Sequence, residues 1–91
     1  MAILMRATVP GMTKETYHHM AEKLLPQLRT QKGFIAHCGY AVAGGWEVTE
    51  LWETQEAHDT WQKTTIMPAM QAGGVTQPIM TIFPAEKIVT K

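Results

Sequence analysis

The sequence predicts one α+β domain in which an antiparallel sheet carries two helices on one face, with elements in the order β-α-β-β-α-β. Strand-like apolar segments open and close the chain, and two segments with apolar residues three and four apart lie between them. A Gly-Gly turn joins two further strand-like segments in the middle. Ninety-one residues leave no room for a second core, so we expect 1–91 to form a single domain.

The first strand and the first helix are marked by clear boundary residues. AILMRATV at 2–9 is strand-like and ends at Pro10. Thr13 is a suitable N-cap for the helix that follows. Pro26 predicts a kink or a looser turn, and Gly33 stops the helix. The predicted apolar stripe comprises Tyr17, Met20, Ala21, Leu24 and Leu28.

The remaining elements follow from the same kinds of signal. Strands are predicted at 34–42, 46–53 and 78–83, the first two joined by the turn at 43–45. Thr54 is predicted to cap the second helix and Pro68 to end it. The last residues, 84–91, form a tail that could add a short strand.

This order suits a ferredoxin-like sheet with two right-handed crossovers. Such a sheet has helices on one face only, yet the first and last strands are apolar on both faces. An exposed apolar sheet face usually marks an interface, and a chain this small buries only about 60–65% of its unfolded surface. We therefore predict a homodimer that associates through the sheet face.

Composition excludes several classes of function. Eight basic residues balance eight acidic ones, which argues against nucleic-acid binding. The single cysteine, Cys38, excludes an intramolecular disulfide and matches no zinc motif. The sequence shows no secretory signal, no membrane span and no catalytic signature motif. We expect a cytoplasmic protein without a metal ion or an organic cofactor.

The stretch TELWETQEAHDTWQ concentrates aromatic residues where the third strand meets the second helix. Trp52 ends the strand, and His58 and Trp61 lie three residues apart on one side of the helix, so the three side chains are predicted to converge on a cavity. His58 is the candidate catalytic base, with Trp52 and Trp61 as walls. Core packing is the alternative interpretation of the tryptophans. Glu50 also points inward and requires a partner, for which Arg6 is the candidate.

Further candidates for the lining of this pocket are Tyr17 and His18 on the first helix, Tyr40 on the second strand and Met70 after the second helix. Methionine commonly fills gaps in a core, so packing is the default role for Met70. By alternation along its strand, His37 is predicted to lie on the dimer face rather than among the pocket residues.

The segments ELWETQEAHDTW and PQLRTQKGFIAH, together with the order of elements, resemble the antibiotic biosynthesis monooxygenase family of dimeric α+β barrel proteins. The resemblance implies a homodimer with one pocket per subunit. It also implies cofactor-independent oxidation of phenols or quinols, in which the deprotonated substrate itself activates dioxygen. Trp52 falls on the family's active-site tryptophan, whereas Val48 and His58 stand where the family has an asparagine and a tyrosine.

The haem-degrading branch of the same superfamily is a poorer match. Trp61 falls on its tryptophan, but the first strand has no asparagine and the segment MPAMQAG has no histidine to ligate iron.

Three functions are compatible with these observations. The first is a cofactor-independent monooxygenase acting on an aromatic or polyketide-like molecule, as in antibiotic biosynthesis. The second is a cyclase or isomerase with the same pocket, which requires only shape, a base and a donor. The third is a non-catalytic protein that binds a small molecule.

Overall fold

A computed structural model describes the whole chain, Met1–Lys91, and contains one four-stranded sheet. The strands are β1 (Ile3–Pro10), β2 (Phe34–Val42), β3 (Gly45–Trp52) and β4 (Ile79–Pro84). They lie in the order β2-β3-β1-β4, and every neighbouring pair is antiparallel. The predicted ferredoxin-like α+β fold is therefore confirmed.

The first helix, α1 (Lys14–Leu28), begins at its predicted cap. The Thr13 hydroxyl accepts a hydrogen bond from the Thr16 N–H at 3.2 Å. Pro26 does not end the helix: the chain continues in helical conformation to Leu28, and the Arg29 N–H still donates to the Leu25 carbonyl. Pro26 is exposed at this end, so the backbone pairing that it prevents can be replaced by water.

The second helical region runs without a break through α2 (Gln55–Trp61), a π-helical segment (Gln62–Ile66) and α3 (Met67–Ala72). Thr54 caps it, as predicted, by accepting from the Ala57 N–H at 3.1 Å. The prediction that Pro68 ends this helix is wrong. The π-helical turn just before Pro68 changes the pairing of the backbone carbonyl that a proline ring meets in a regular α-helix. Pro68 therefore fits the first turn of α3. No helix of the chain combines the length and the apolarity needed to cross a membrane.

One face of the sheet packs against the helices and forms the core. Its contributions from β1 and β3 are Ile3, Met5, Ala7, Val9, Trp46, Val48, Glu50 and Trp52. In β2 the register skips one residue between Phe34 and Ala36, which is a β-bulge. The bulge turns His37 to the helix face opposite Glu50. The expectation that His37 lies on the dimer face is thus wrong, because simple alternation fails at the bulge.

The opposite face of the sheet, here called the outer face, is mixed in character. Leu4, Leu51 and Phe83 form an apolar end beside the C-terminal tail, while the centre carries polar side chains. Arg6 lies in this centre with its guanidinium carbon 5.6 Å from the centroid of the Phe83 ring. Arg6 is therefore not the partner of Glu50, because neighbouring residues of a strand point to opposite faces. The tail adds no strand.

Candidate active site

A cavity of about 100 Å³ lies between α1, the second helical region and the helix face of the sheet. Its walls are largely apolar and include Met5, Leu24, Leu28, Val48, Ile66 and Met70. Such a lining favours an apolar ligand and makes the few polar groups on the wall responsible for orienting it.

Those polar groups form a connected chain of hydrogen bonds, here called the relay. The Tyr17 hydroxyl lies 2.6 Å from His37 Nε2, and His37 Nδ1 lies 2.7 Å from Glu50 Oε2. The indole N–H of Trp52 donates to Glu50 Oε1 at 2.9 Å. The cavity wall includes Tyr17, His37 and Glu50. Trp52 is not on the wall, but its indole N–H holds the Glu50 carboxylate in place.

Chemistry fixes the direction of these bonds when Glu50 is ionised. A carboxylate only accepts, so His37 Nδ1 carries a hydrogen and donates it. In the neutral imidazole Nε2 is then an acceptor, and the Tyr17 hydroxyl donates to it. The same order of carboxylate, imidazole and hydroxyl is found in hydrolytic triads. There the carboxylate holds the imidazole in one tautomer and stabilises the imidazolium cation.

Tyr17 keeps its proton at neutral pH. Burial raises the pKa of the Tyr17 phenol above its ordinary value of 10.0, and the negative charge of the Glu50 carboxylate acts in the same direction. The phenol is therefore a hydrogen-bond donor in this site, able to serve either His37 or an oxygen atom of a ligand.

The structure brings three of the predicted lining residues to the cavity: Tyr17, Trp61 and Met70. Four predicted residues are not on its wall, namely Trp52, His58, His18 and Tyr40. The Trp52, His58 and Trp61 side chains are 0%, 1% and 2% exposed, so all three are packed in the interior.

His58 packs edge-to-face against Trp52 with ring centroids 5.8 Å apart. Its Nδ1 lies 3.3 Å from Asp59 Oδ1, and its Nε2 is buried without a hydrogen-bond partner. His58 therefore contacts Trp52 of the relay and does not reach the cavity. The catalytic role predicted for it stays a prediction.

The two other absent residues occupy different surfaces. His18 is exposed and packs its ring edge-to-face on Tyr17 and Trp46. Tyr40 lies on the outer face, where its hydroxyl donates to Glu47 Oε2 at 2.6 Å. That bond is the main reason why the pKa of Tyr40 is raised and that of Glu47 is lowered.

Sequence reasoning missed the place of His37 on the cavity wall and the true partners of Glu50. The signal that could have found them is the polarity of Glu50 itself: an inward carboxylate between Trp46 and Trp52 demands hydrogen-bond donors from nearby side chains. His37 supplies one and Trp52 the other.

The side chains offer no evident metal site. No three His, Cys, Asp or Glu residues lie close enough together to bind one ion. We find no pair of buried histidines facing each other across the cavity either, since His37 is the only histidine on its wall.

Solved structures with the same fold cover nearly the whole chain. Rv0793 from Mycobacterium tuberculosis is 13% identical and superimposes with a TM-score of 0.74 over 99% of this chain and 100% of that one. SnoaB from Streptomyces nogalater, a cofactor-independent oxygenase, is 12% identical with a TM-score of 0.68 over 99% of this chain and 97% of that one. A Deinococcus radiodurans protein ascribed to antibiotic biosynthesis monooxygenases is 18% identical, with a TM-score of 0.64 over 100% and 98% of the two chains.

These likenesses confirm the predicted resemblance at the level of the fold. No protein-family model matches the sequence, and no curated protein matches it. At such low identities the shared fold does not fix the activity, because one fold hosts many functions.

Proposed function

We propose that this chain is an enzyme that binds an aromatic or polyketide-like molecule in the cavity and oxygenates it with dioxygen, without a metal or organic cofactor. The observation that supports this most directly is the relay of Tyr17, His37 and Glu50 on the wall of an otherwise apolar cavity. The likeness of the fold to SnoaB adds to it.

The first step is the loss of a proton from a phenol or from an activated carbon next to a carbonyl group. His37 Nε2 takes this proton, and the Glu50 carboxylate stabilises the resulting imidazolium. Tyr17 turns its hydroxyl hydrogen from His37 to the oxygen atom on which negative charge develops. Its raised pKa suits this task, because the phenol remains protonated.

The deprotonated ligand then reduces dioxygen itself. Dioxygen adds at the electron-rich carbon, and the His37 imidazolium returns its proton to the outer oxygen to give a hydroperoxide. Cleavage of the O–O bond, with loss of the remaining hydrogen of that carbon, releases water and leaves a ketone or quinone. One oxygen atom enters the product and the other leaves as water, so all four electrons come from the ligand and no external reductant is required. The apolar wall keeps bulk water from the reactive anion.

A cyclase or isomerase is the second candidate, and the relay favours it on its own account. Proton removal by His37 with simultaneous donation by Tyr17 is sufficient for an enolisation or an aldol-type ring closure. This reaction shares the first step above and differs only in needing no dioxygen.

We also propose that the active form is a homodimer associated through the outer face. The apolar end formed by Leu4, Leu51 and Phe83 supports this, as does the exposed Val89 of the adjoining tail. Native mass spectrometry at micromolar protein tests the proposal: a dimer is expected, and a stable monomer would contradict it.

Turnover tests the enzymatic proposal with anthrone and hydroxynaphthalenes as probes. We expect consumption of dissolved oxygen and incorporation of one oxygen-18 atom from labelled dioxygen into a ketone or quinone. Conversion that continues unchanged without oxygen would establish the cyclase or isomerase instead. Saturable binding with no product at any pH would leave a binding protein and contradict both enzymatic functions.

Matched variants identify the base. His37→Gln is expected to lower turnover by about 10²–10⁴-fold, the range that general bases contribute. His19→Gln, an exposed histidine on α1, is the control and should leave turnover unchanged. His58→Gln tests the base predicted from sequence: a loss of turnover as large as that of His37→Gln, in a folded protein, would return the role to His58.

A further inference from the structure

Gly39 lies on the helix face of β2, opposite Val48 and directly beneath the Tyr17 ring. A Cβ atom at this position would lie 2.6 Å from Tyr17 Oη, 2.7 Å from Tyr17 Cζ and 3.0 Å from Trp46 Nε1. Non-bonded carbon atoms prefer separations of about 3.5–4.0 Å, so even an alanine would collide with the phenol.

The backbone itself does not require glycine here. The glycines with a positive φ are elsewhere in the chain, and Gly39 is not among them. A glycine inside a strand weakens the strand, and it often marks a place where another group approaches the backbone closely. At Gly39 the approaching group is Tyr17, whose hydroxyl belongs to the relay.

Neighbouring rings prevent Tyr17 from sliding along the sheet. Its ring stacks on Trp46 with centroids 4.7 Å apart and an angle of 26° between the planes, and His18 covers it edge-on at 5.7 Å. It lies nearly parallel to His37, with an angle of 11°. A side chain at position 39 therefore has to lift the phenol off the sheet, which moves its oxygen away from His37 Nε2.

We propose that Gly39 is a positioning residue: its missing side chain lets the Tyr17 phenol lie against β2 and thereby sets the Tyr17–His37 hydrogen bond. The consequence for catalysis rests on the proposed function, whereas the geometric claim stands without it.

Gly39→Ala tests the proposal, with Gly73→Ala as the matched control. Gly73 ends α3 in right-handed helical conformation, and an added Cβ would meet its nearest neighbour at 3.4 Å, an ordinary contact distance. The readouts are the nitrogen-15 shift of His37 Nε2 and the pH titration of Tyr17 labelled with carbon-13 at Cζ. In Gly39→Ala we expect the Nε2 signal to lose its hydrogen-bond shift and Tyr17 to titrate at a lower pH than in the native protein. Native values for both signals in Gly39→Ala would overturn the proposal.

A double variant keeps the test decisive if Gly39→Ala is too unstable to study. The alanine side chain at position 39 collides with the Tyr17 phenol. When Tyr17→Ala removes that phenol, Gly39→Ala should therefore lower the stability only slightly. The Tm of Tyr17→Ala/Gly39→Ala is then expected to be close to that of Tyr17→Ala, after a small adjustment of Trp46. If Gly39→Ala lowers the Tm of Tyr17→Ala by as much as it lowers the Tm of the native protein, the strand itself needs glycine and the proposal is wrong.

Turnover separates this proposal from the proposed function. If the native protein converts anthrone, Gly39→Ala should lower kcat by roughly 100-fold, as a misplacement of about 1 Å does, with little change in KM. If the native protein converts no probe while the two spectroscopic changes still occur, the proposed function fails and the positioning role of Gly39 stands.

Discussion

The substitution Glu50→Gln is expected to reverse the relay rather than to break it. The carboxylate accepts hydrogen bonds from both His37 and Trp52, but a glutamine amide has one acceptor oxygen and one donor NH₂ group. The Trp52 indole can only donate, so the amide oxygen must face it. The NH₂ group then faces His37 Nδ1, which has to become an acceptor. His37 must carry its hydrogen on Nε2 and donate it to the Tyr17 oxygen.

The magnitude follows from the two bonds that change. Hydrogen bonds to a charged group contribute about 1.5–3 kcal/mol, and neutral ones about 0.5–1.5 kcal/mol. Two bonds would thus lose about 2 kcal/mol together, and relief from burying a charge at a 6% exposed residue offsets part of this loss. We expect a net loss of about 1 kcal/mol, which lowers the Tm of a domain this small by about 4–8 °C. Turnover should fall far more, by about 10²–10⁴-fold, because Nε2 no longer accepts a proton.

Long-range proton–nitrogen NMR correlations of the His37 ring assign its tautomer directly, and thermal unfolding gives the stability. Glu47→Gln is the control, because Glu47 is bonded to Tyr40 and Thr8 on the outer face and does not touch His37. If His37 Nδ1 still carries the hydrogen in Glu50→Gln, the assigned directions of the relay are refuted. A Tm loss several times larger than expected would show that the glutamine leaves a buried donor unpaired.

Three further predictions concern the framework of the site. Thr54→Ala removes the cap that accepts the Ala57 N–H and should cost about 1 kcal/mol in denaturant unfolding, with an unchanged m-value. Leu28→Ala empties part of the core next to the cavity, since Leu28 is 2% exposed, and should cost about 2–5 kcal/mol in the same assay; a loss below 1 kcal/mol would mean that the site collapses freely. Tyr40→Phe removes the bond that lowers the pKa of Glu47, so the stability which that ionised carboxylate provides above its ordinary pKa of 4.5 is reduced. The Tm difference between native protein and Tyr40→Phe should therefore be largest near neutrality and shrink as the pH falls through the Glu47 pKa; a difference that grows in acid would contradict this sign.

The order of elements could be predicted because its signals are local. Thr13 and Thr54 are effective caps wherever they precede an amphipathic segment, and both accept the expected backbone N–H. In the same way, Gly44 and Gly45 indicate the turn, and alternating side chains indicate the strands on either side of it. Such signals are contained in a few consecutive residues, so tertiary contacts did not need to be known.

The relay could not be predicted in the same way, because it depends on pairing between distant segments. His37 meets Glu50 only through the register of β2 and β3, and that register contains a bulge that the alternation of residues does not reveal. The continuation of the helix through Pro68 could not be predicted for a related reason: whether a proline ends a helix depends on the pairing of the turn before it, and that turn is π-helical here. Both errors arise where the chain departs from a regular repeat.

The bulge in β2 also bears on how this chain should be aligned with relatives. Phe34 and His37 are three residues apart, yet both point to the helix face, because Ile35 is the extra residue in the ladder. A relative with a regular strand needs one residue fewer to place the same two side chains. An ungapped alignment that matches such a relative at Phe34 would set the counterpart of His37 against Ala36, on the wrong side of the sheet. The histidine should therefore be sought with a one-residue gap at Ile35, and a chain that lacks Ile35 can still keep the relay.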